Sequence, residues 1–280
     1  MPNAVDLTTL TDLKNFISPT LAATTASDGP LIRIITAVSD GINRYLSRSV
    51  AVGQFSEVRN GNGRDSIRTL VYPIISVQSV VITPNFGQPG TTILPANGSQ
   101  VPALTNDKWF INLHSGFFAN CFPEGKQNVT LNYTAGYITP GQLQLLALPA
   151  WVSAGGVTQN QQVQNAGYVY QAINSGTSGS GAPAWLILTN SVTNDNGVMW
   201  LCLGPVPTLP ALASLAPYSL VEACLEQSAL LFKNRTRVGD TSSGVGPDRV
   251  NYFLKGALPS TIDKIKPYRE VFPTEGMGVQ

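Results

Sequence analysis

Between Lys126 and Glu222 the only charged residue is Asp195. A run of that length cannot solvate its surface with ions. It must rely on Asn, Gln, Ser, Thr and Gly, or be covered by neighbours. It also leaves little for acid–base or metal chemistry, which needs ionisable groups or ligands held together. Around this run the order of segments is two helical stretches, a long β middle, one late helix and an irregular tail. The order predicts a scaffold component that works by being assembled.

The helical stretches are legible from caps and spacing. Thr9-Leu10-Thr11-Asp12 fits a capping box, with Leu10, Leu13 and Phe16/Ile17 at helical intervals, and Ser18-Pro19 ends the helix. A second helix opens near Ser27-Asp28-Gly29-Pro30. It carries Leu31, Ile34/Ile35, Val38, Ile42 and Tyr45/Leu46 as one apolar stripe. From Ser49 the period changes to strand. Val50–Arg59 and Ser66–Val71 flank Asn60-Gly61-Asn62-Gly63, which predicts a hairpin. Ile75–Thr83, Trp109–Leu113 and Asn128–Tyr133 predict further strands, and residues 84–106 an extended loop or hairpin excursion. Ser219–Arg237 returns to helical pattern with basic residues at its C-terminal end.

A new composition spans Gln142 to about Pro217. It holds three of the four tryptophans, many Gly, Asn, Gln and Ser, and proline-rich flanks. The expected class is α+β. A small helical bundle (two N-terminal helices plus the late one) accompanies a central antiparallel β domain and an inserted small all-β module. By chain order the expected domains are 1–141 with 217–280, and 142–216.

Bulk numbers narrow the function. Of the 280 residues 43% are hydrophobic, enough for a core, while only 12% are charged. The net charge of +1 gives no global pull toward nucleic acid or anionic membrane. Cys121, Cys202 and Cys224 are odd in number and widely spaced, which predicts reduced thiols and neither a disulfide framework nor a zinc site. The N-terminus lacks a basic region followed by an apolar one, and no apolar run has membrane-spanning length, so a soluble protein made in a reducing compartment is expected.

The lone histidine, His114, has no carboxylate close in sequence, so a nucleophile–His–carboxylate site is not indicated. Gly61-Asn62-Gly63 and Gly244-Val245-Gly246-Pro247 match no phosphate-binding fingerprint. No catalytic residue, cofactor or metal is expected. The C-terminal region is the most basic, but without aromatics between its charges base recognition is not expected there. Trp151, Tyr168, Tyr170, Trp185 and Trp200 sit in the insert. In so small a unit they read as core, with sugar stacking by Tyr168, Tyr170, Trp185 and Trp200 as the functional alternative.

Five phrases in order carry a family resemblance. They are the Leu7–Phe16 helix, the Leu31–Arg48 helix ending in Ile42-Asn43-Arg44-Tyr45-Leu46-Ser47-Arg48, Asn60–Asp65 with Val71–Val80, Gln127–Tyr137, and a late helix running into Arg235–Gly239. Outside 142–216 the chain resembles the head-to-tail connector (adaptor) family of tailed phages, a ring beneath the portal. The insert resembles small Trp-containing, carbohydrate-binding-like modules. It departs from their pattern at Val157 and Gln161, where an aromatic and a glycine are usual.

The resemblance implies a non-enzymatic virion protein at the head–tail interface, made in the host bacterial cytoplasm and acting away from membranes. It implies a homo-oligomeric ring of about twelve copies that binds the portal protein and a downstream neck or tail-completion protein. Genomic DNA in the lumen would be contacted without sequence preference. Arg33, Arg44, Arg48, Lys264, Lys266 and Arg269 are the candidate portal- or DNA-facing residues. The alternative function is glycan binding by the insert, with the remainder as its mount.

Overall fold

The computed structural model describes residues 3–22, 24–83, 89–94, 104–113, 121–235, 242–243, 250–251 and 258–269. The described helices are α1 (Leu10–Ile17), α2 (Pro19–Ala22), α3 (Asp28–Leu46), α4 (Pro140–Leu146), α5 (Tyr218–Asn234) and α6 (Pro259–Ile265). The first strands are β1 (Gly53–Gly61), β2 (Ser66–Arg68), β3 (Ile74–Ile82), β4 (Thr91–Ile93), β5 (Leu104–Asn106), β6 (Phe110–Leu113) and β7 (Gly125–Ala135). Next come β8 (Gly156–Val157), β9 (Gln162–Asn165), β10 (Tyr168–Ala172), β11 (Gly176–Thr177), β12 (Val192–Asp195) and β13 (Val198–Pro205). The last two are β14 (Ser242–Ser243) and β15 (Val250–Asn251). All pairings between these strands are antiparallel, and the class is α+β.

Two compact units form. One comprises 1–40, 140–208 and 221–261; the other comprises 41–139, 209–220 and 262–280. This partition cuts across the expected split of 1–141 with 217–280 and 142–216. The reason lies in the helices: the N-terminal ones bury their stripes on each other and on α5, so they separate from the strand-rich middle.

In the first unit, Leu13 of α1, Leu31 and Ile35 of α3, and Leu225, Ala229 and Phe232 of α5 make one core. The N-cap half of the predicted capping box is present: the Thr9 side chain accepts from the Asp12 backbone N–H, and its hydroxyl donates to the Asp12 carboxylate at 2.7 Å. Lys14 pairs with Asp28 at 2.9 Å, tying α1 to the start of α3. Buried Ser39 accepts from the Leu7 N–H and lies 3.4 Å from Cys224 Sγ. Burial pushes the Cys224 thiol up to about 11, so it stays protonated and inert. The predicted β module lies in the same unit, as the sheet β12-β13-β10-β9 and the small pair β11-β8. Helix α4, before it, adds to the expected elements, and α6 corrects the expectation of an irregular tail.

In the second unit the sheet β1-β7-β3-β4 and the three-stranded β2-β6-β5 enclose one apolar core, including Val80, Ile82, Ile111, Phe122, Leu131 and Tyr133. The expected hairpin across Asn60–Gly63 is corrected, because β1 pairs with β7 and β2 with β6. Gly61 is required for close approach of backbone: a Cβ there would run into the Pro123 carbonyl. Asn128 completes the contact, accepting from the Gly61 N–H and donating to that carbonyl, both at 2.7 Å. The excursion expected over 84–106 includes β4 and β5 in its described part.

Candidate functional site

The aromatic cluster of the β module is built twice over. Each of two hairpins, β9–β10 and β12–β13, turns through a pair of residues with positive φ, Ala166-Gly167 and Asn196-Gly197. Such turns match the twist of the flanking strands. Three residues past each glycine stands a fully buried ring, Tyr170 or Trp200. Ahead of each hairpin stands a Pro-Ala-Trp triplet, at Pro149–Trp151 and Pro183–Trp185. The two triplet indoles meet edge to face at 6.1 Å, and Trp185 lies 4.3 Å from Tyr170 and 6.0 Å from Trp200. These spacings are those of mutually stabilising rings.

Asp195 sits at the centre of this cluster, 3% exposed. One carboxylate oxygen accepts from Trp151 Nε1 at 2.9 Å and Trp200 Nε1 at 3.1 Å; the other accepts from the Gly179 N–H at 2.7 Å. The single charge of the long neutral run is therefore spent on holding its own core. Of the four sugar-stacking candidates, Tyr170 and Trp200 have no exposed face, so neither can serve as a platform. Tyr168 and Trp185 are half-buried against the same core.

The six basic candidates divide between the units. Arg33 is exposed on the part of α3 in the first unit, whereas Arg44, Arg48, Lys264, Lys266 and Arg269 belong to the second. Arg44, Lys266 and Arg269 are exposed and Lys264 is half-buried. Arg48 is 6% exposed: its guanidinium stacks 3.7 Å above the Tyr72 ring and donates to the Tyr72 carbonyl at 2.5 Å. It is an internal cation, excluded from a docking face by its burial. His114 lies outside the described residues. Among those described, no group of three or more His, Cys, Asp or Glu is placed to hold a metal ion, and no helix is long and apolar enough to cross a membrane.

Within the second unit the sequence reading missed a concave site. A groove of about 480 Å³ is lined by the cations Arg68, Lys108 and Arg269 and by the rings of Tyr72, Trp109, Tyr137 and Tyr268, with Pro267 at its edge. Its floor is fixed by long-range contacts. The Tyr72 hydroxyl donates to the Tyr268 carbonyl at 2.8 Å, and Tyr268 Oη lies 2.9 Å from Ser219 Oγ. Burial raises the Tyr137 hydroxyl above the usual tyrosine range, partly offset by the Arg48 charge, so it stays protonated.

Trp109 is presented by a turn that Asp107 organises, accepting the Trp109 and Phe110 N–H groups on one oxygen at 2.7 Å each. The Lys108 and Trp109 carbonyls are held by the Ile74 and Thr69 N–H groups. Arg269 reaches over the Tyr45 ring at 4.9 Å. Among the described residues no carboxylate lines the groove. In sequence its parts are dispersed, and the adjacencies of Lys108 to Trp109 and of Tyr268 to Arg269 are their local signs.

No family model matches the chain, and no curated protein does. Among solved structures it is similar to a chain from the neck of an empty GTA particle computed with C6 symmetry. That chain is 12% identical, with 99% of this chain and 95% of that one covered and a TM-score of 0.46. It is also similar to a chain from the virion of a native gene transfer agent (GTA) particle, 10% identical with the same coverage and a TM-score of 0.46.

Proposed function

We propose that this chain is a structural protein of a phage-type virion neck. In this reading it is a connector subunit that closes into a ring between the portal and the downstream neck or tail proteins, with DNA passing through the lumen. One observation carries the reading. Phrases of the family resemblance that lie far apart along the chain (the end of the Leu31–Arg48 helix, Val71–Val80 and Gln127–Tyr137) contact one another within the second unit. Arg48 stacks on Tyr72, the Val71 N–H donates to the Tyr133 hydroxyl at 3.1 Å, the Val52 N–H donates to the Tyr137 carbonyl, and β3 pairs with β7. Chance matches in unrelated surface turns would not converge on one core.

The ring would hold about twelve copies, each making the same head-to-tail contact. Arg33, Arg44, Lys264, Lys266 and Arg269 are the docking set that remains once Arg48 is set aside. Contact with genomic DNA in the lumen is electrostatic and sequence-blind. Residues 142–216 form a module inserted in the connector framework, and the reading assigns no catalytic residue or cofactor.

The test is mass photometry with negative-stain imaging of the purified chain, alone and mixed with portal rings. Rings, or monomers converting to rings on the portal, are expected, and their symmetry gives the copy number. A monomer that ignores the portal refutes the connector assignment.

A further inference from the structure

The groove in the second unit combines three properties seldom found together without a ligand to match. Among the described residues its charged lining is cationic, from Arg68, Lys108 and Arg269. The rest of its lining is aromatic apart from Pro267, with no leucine, isoleucine, valine or methionine. At its lip the Trp109 indole is 42% exposed, a large apolar ring left in water beside fixed positive charge. Arg68 stands over that indole at 5.7 Å and Tyr72 is tilted against it at 5.6 Å, so the ring is held in place.

We propose that this groove binds single-stranded nucleic acid, with one base stacked on Trp109 and the adjoining phosphates paired with Arg68, Lys108 and Arg269. Positive grooves with aromatic platforms hold unpaired strands because every base has a π-face and every nucleotide a phosphate. The volume, about 480 Å³, is in the range of small-ligand sites and suits one nucleotide with its flanking phosphates. A groove for an apolar helix or strand would carry aliphatic pockets, which the described lining lacks, and a proline-rich peptide, which does dock on aromatic grooves, brings no phosphates to meet three cations. Duplex DNA keeps its bases stacked inside, so it can use the cations but not Trp109. Of the two acids adjacent in sequence to its cations, Asp107 is engaged by the backbone of its own turn and does not line the groove, and Glu270 lies outside the described residues. The site goes beyond the neck assignment and stands on one unit alone, so it can fail while ring formation succeeds, and the reverse.

The experiment is fluorescence anisotropy of a labelled oligo(dT) strand with the full chain, over a series of salt concentrations. A duplex of equal length, an abasic strand and poly-glutamate serve as competitors. Binding should weaken with salt at a log–log slope of about −2, for roughly three phosphate contacts on a single strand. Trp109→Ala should weaken binding about tenfold or more with the slope unchanged, and Trp109→Phe should retain most of it. Lys108→Gln, a change at an exposed side chain, should reduce the slope by about 0.7. Three results would each overturn the proposal: no binding at low salt, equal affinity for the abasic strand or for duplex, or a Trp109→Ala chain that melts normally and binds as before. Displacement by poly-glutamate at matched charge would reassign the groove to an acidic peptide.

Discussion

Removing the Asp195 carboxylate should destabilise the β module far more than its small size suggests. Asp195→Ala leaves three donors without their acceptor: Trp200 Nε1, fully buried, and Trp151 Nε1 and the Gly179 N–H, both half-buried. A buried donor stripped of its partner costs about 1–3 kcal/mol, and each donor that can still reach water about 0.5–1.5 kcal/mol. The sum is about 2–6 kcal/mol, against a typical domain stability of about 5–15 kcal/mol. Asp195→Asn should cost less, about 1–3 kcal/mol, because an amide oxygen can face the indoles or Gly179 but not both.

Gly179 supplies an independent check. A Cβ there would stand 2.7 Å from the Asp195 carboxylate, so Gly179→Ala must displace it. That clash disappears once Asp195 is alanine, so the two changes should couple by about 1 kcal/mol or more in a double-mutant cycle. Urea denaturation followed by tryptophan fluorescence is the assay, since three of the four tryptophans lie in the module. An Asp195→Ala chain within about 0.5 kcal/mol of the parent, or a Gly179→Ala cost identical in both backgrounds, refutes the reasoning.

Four further outcomes can be checked on the same chain. The Trp185 Nε1–H is buried without a hydrogen-bond partner, so Trp185→Phe should cost at least about 1 kcal/mol less than Trp151→Phe, which forfeits a bond to a carboxylate; paired urea midpoints decide the order. Ala166 is exposed with φ +48° in the β9–β10 turn, so Ala166→Asn should stabilise by about 0.5–1 kcal/mol, read as a raised Tm. Arg48→Lys keeps the charge but loses the planar stack on Tyr72, and should lower stability by about 1–3 kcal/mol in thermal melts.

The fourth is a pH effect at Glu57. Burial holds its carboxyl above the usual glutamate range, although the Leu70 N–H and the Arg59 guanidinium pull it back. The folded chain therefore binds this proton more tightly than the unfolded one. Its contribution to stability is greatest below the unfolded value and falls as pH rises through the raised folded value. Glu57→Gln should flatten that part of a stability–pH profile, and an unchanged slope would exclude Glu57 as its source.

Local signals in the sequence identify the elements that local chemistry determines. The Thr9 cap, the α3 stripe from Leu31 to Leu46, the β-branched run of β3 and the helix after Ser219 all lie where expected. The Asn60–Gly63 reading fails because its glycine answers to a distant partner: Gly61 is small for the sake of Pro123, some sixty residues away. A turn motif and a close-approach motif are the same letters. Helix α4 carries no charge at either end, and although Thr139-Pro140-Gly141-Gln142 has the spacing of a helix start, the proline that opens it also reads as a break.

The two sites differ in legibility for the same reason. The module's cluster is coded within about fifty residues, so its tryptophans can be read as core, and the isolation of Asp195 in charge-free sequence marks it as special. The groove draws on β2, on the turn before β6, on residues after β7 and on the segment following α6. The parts from the middle (Arg68, Tyr72, Lys108, Trp109, Tyr137) and from the tail (Pro267, Tyr268, Arg269) each look ordinary alone, because along the chain they are far apart. Sheet pairing and the Tyr72–Tyr268 contact place rings and cations side by side. Base recognition judged from linear neighbours alone therefore tests the wrong adjacency. In a chain so poor in charge, three cations lining one groove with an exposed indole are the strongest departure from an inert surface among the described residues, and that is where a ligand should be sought first.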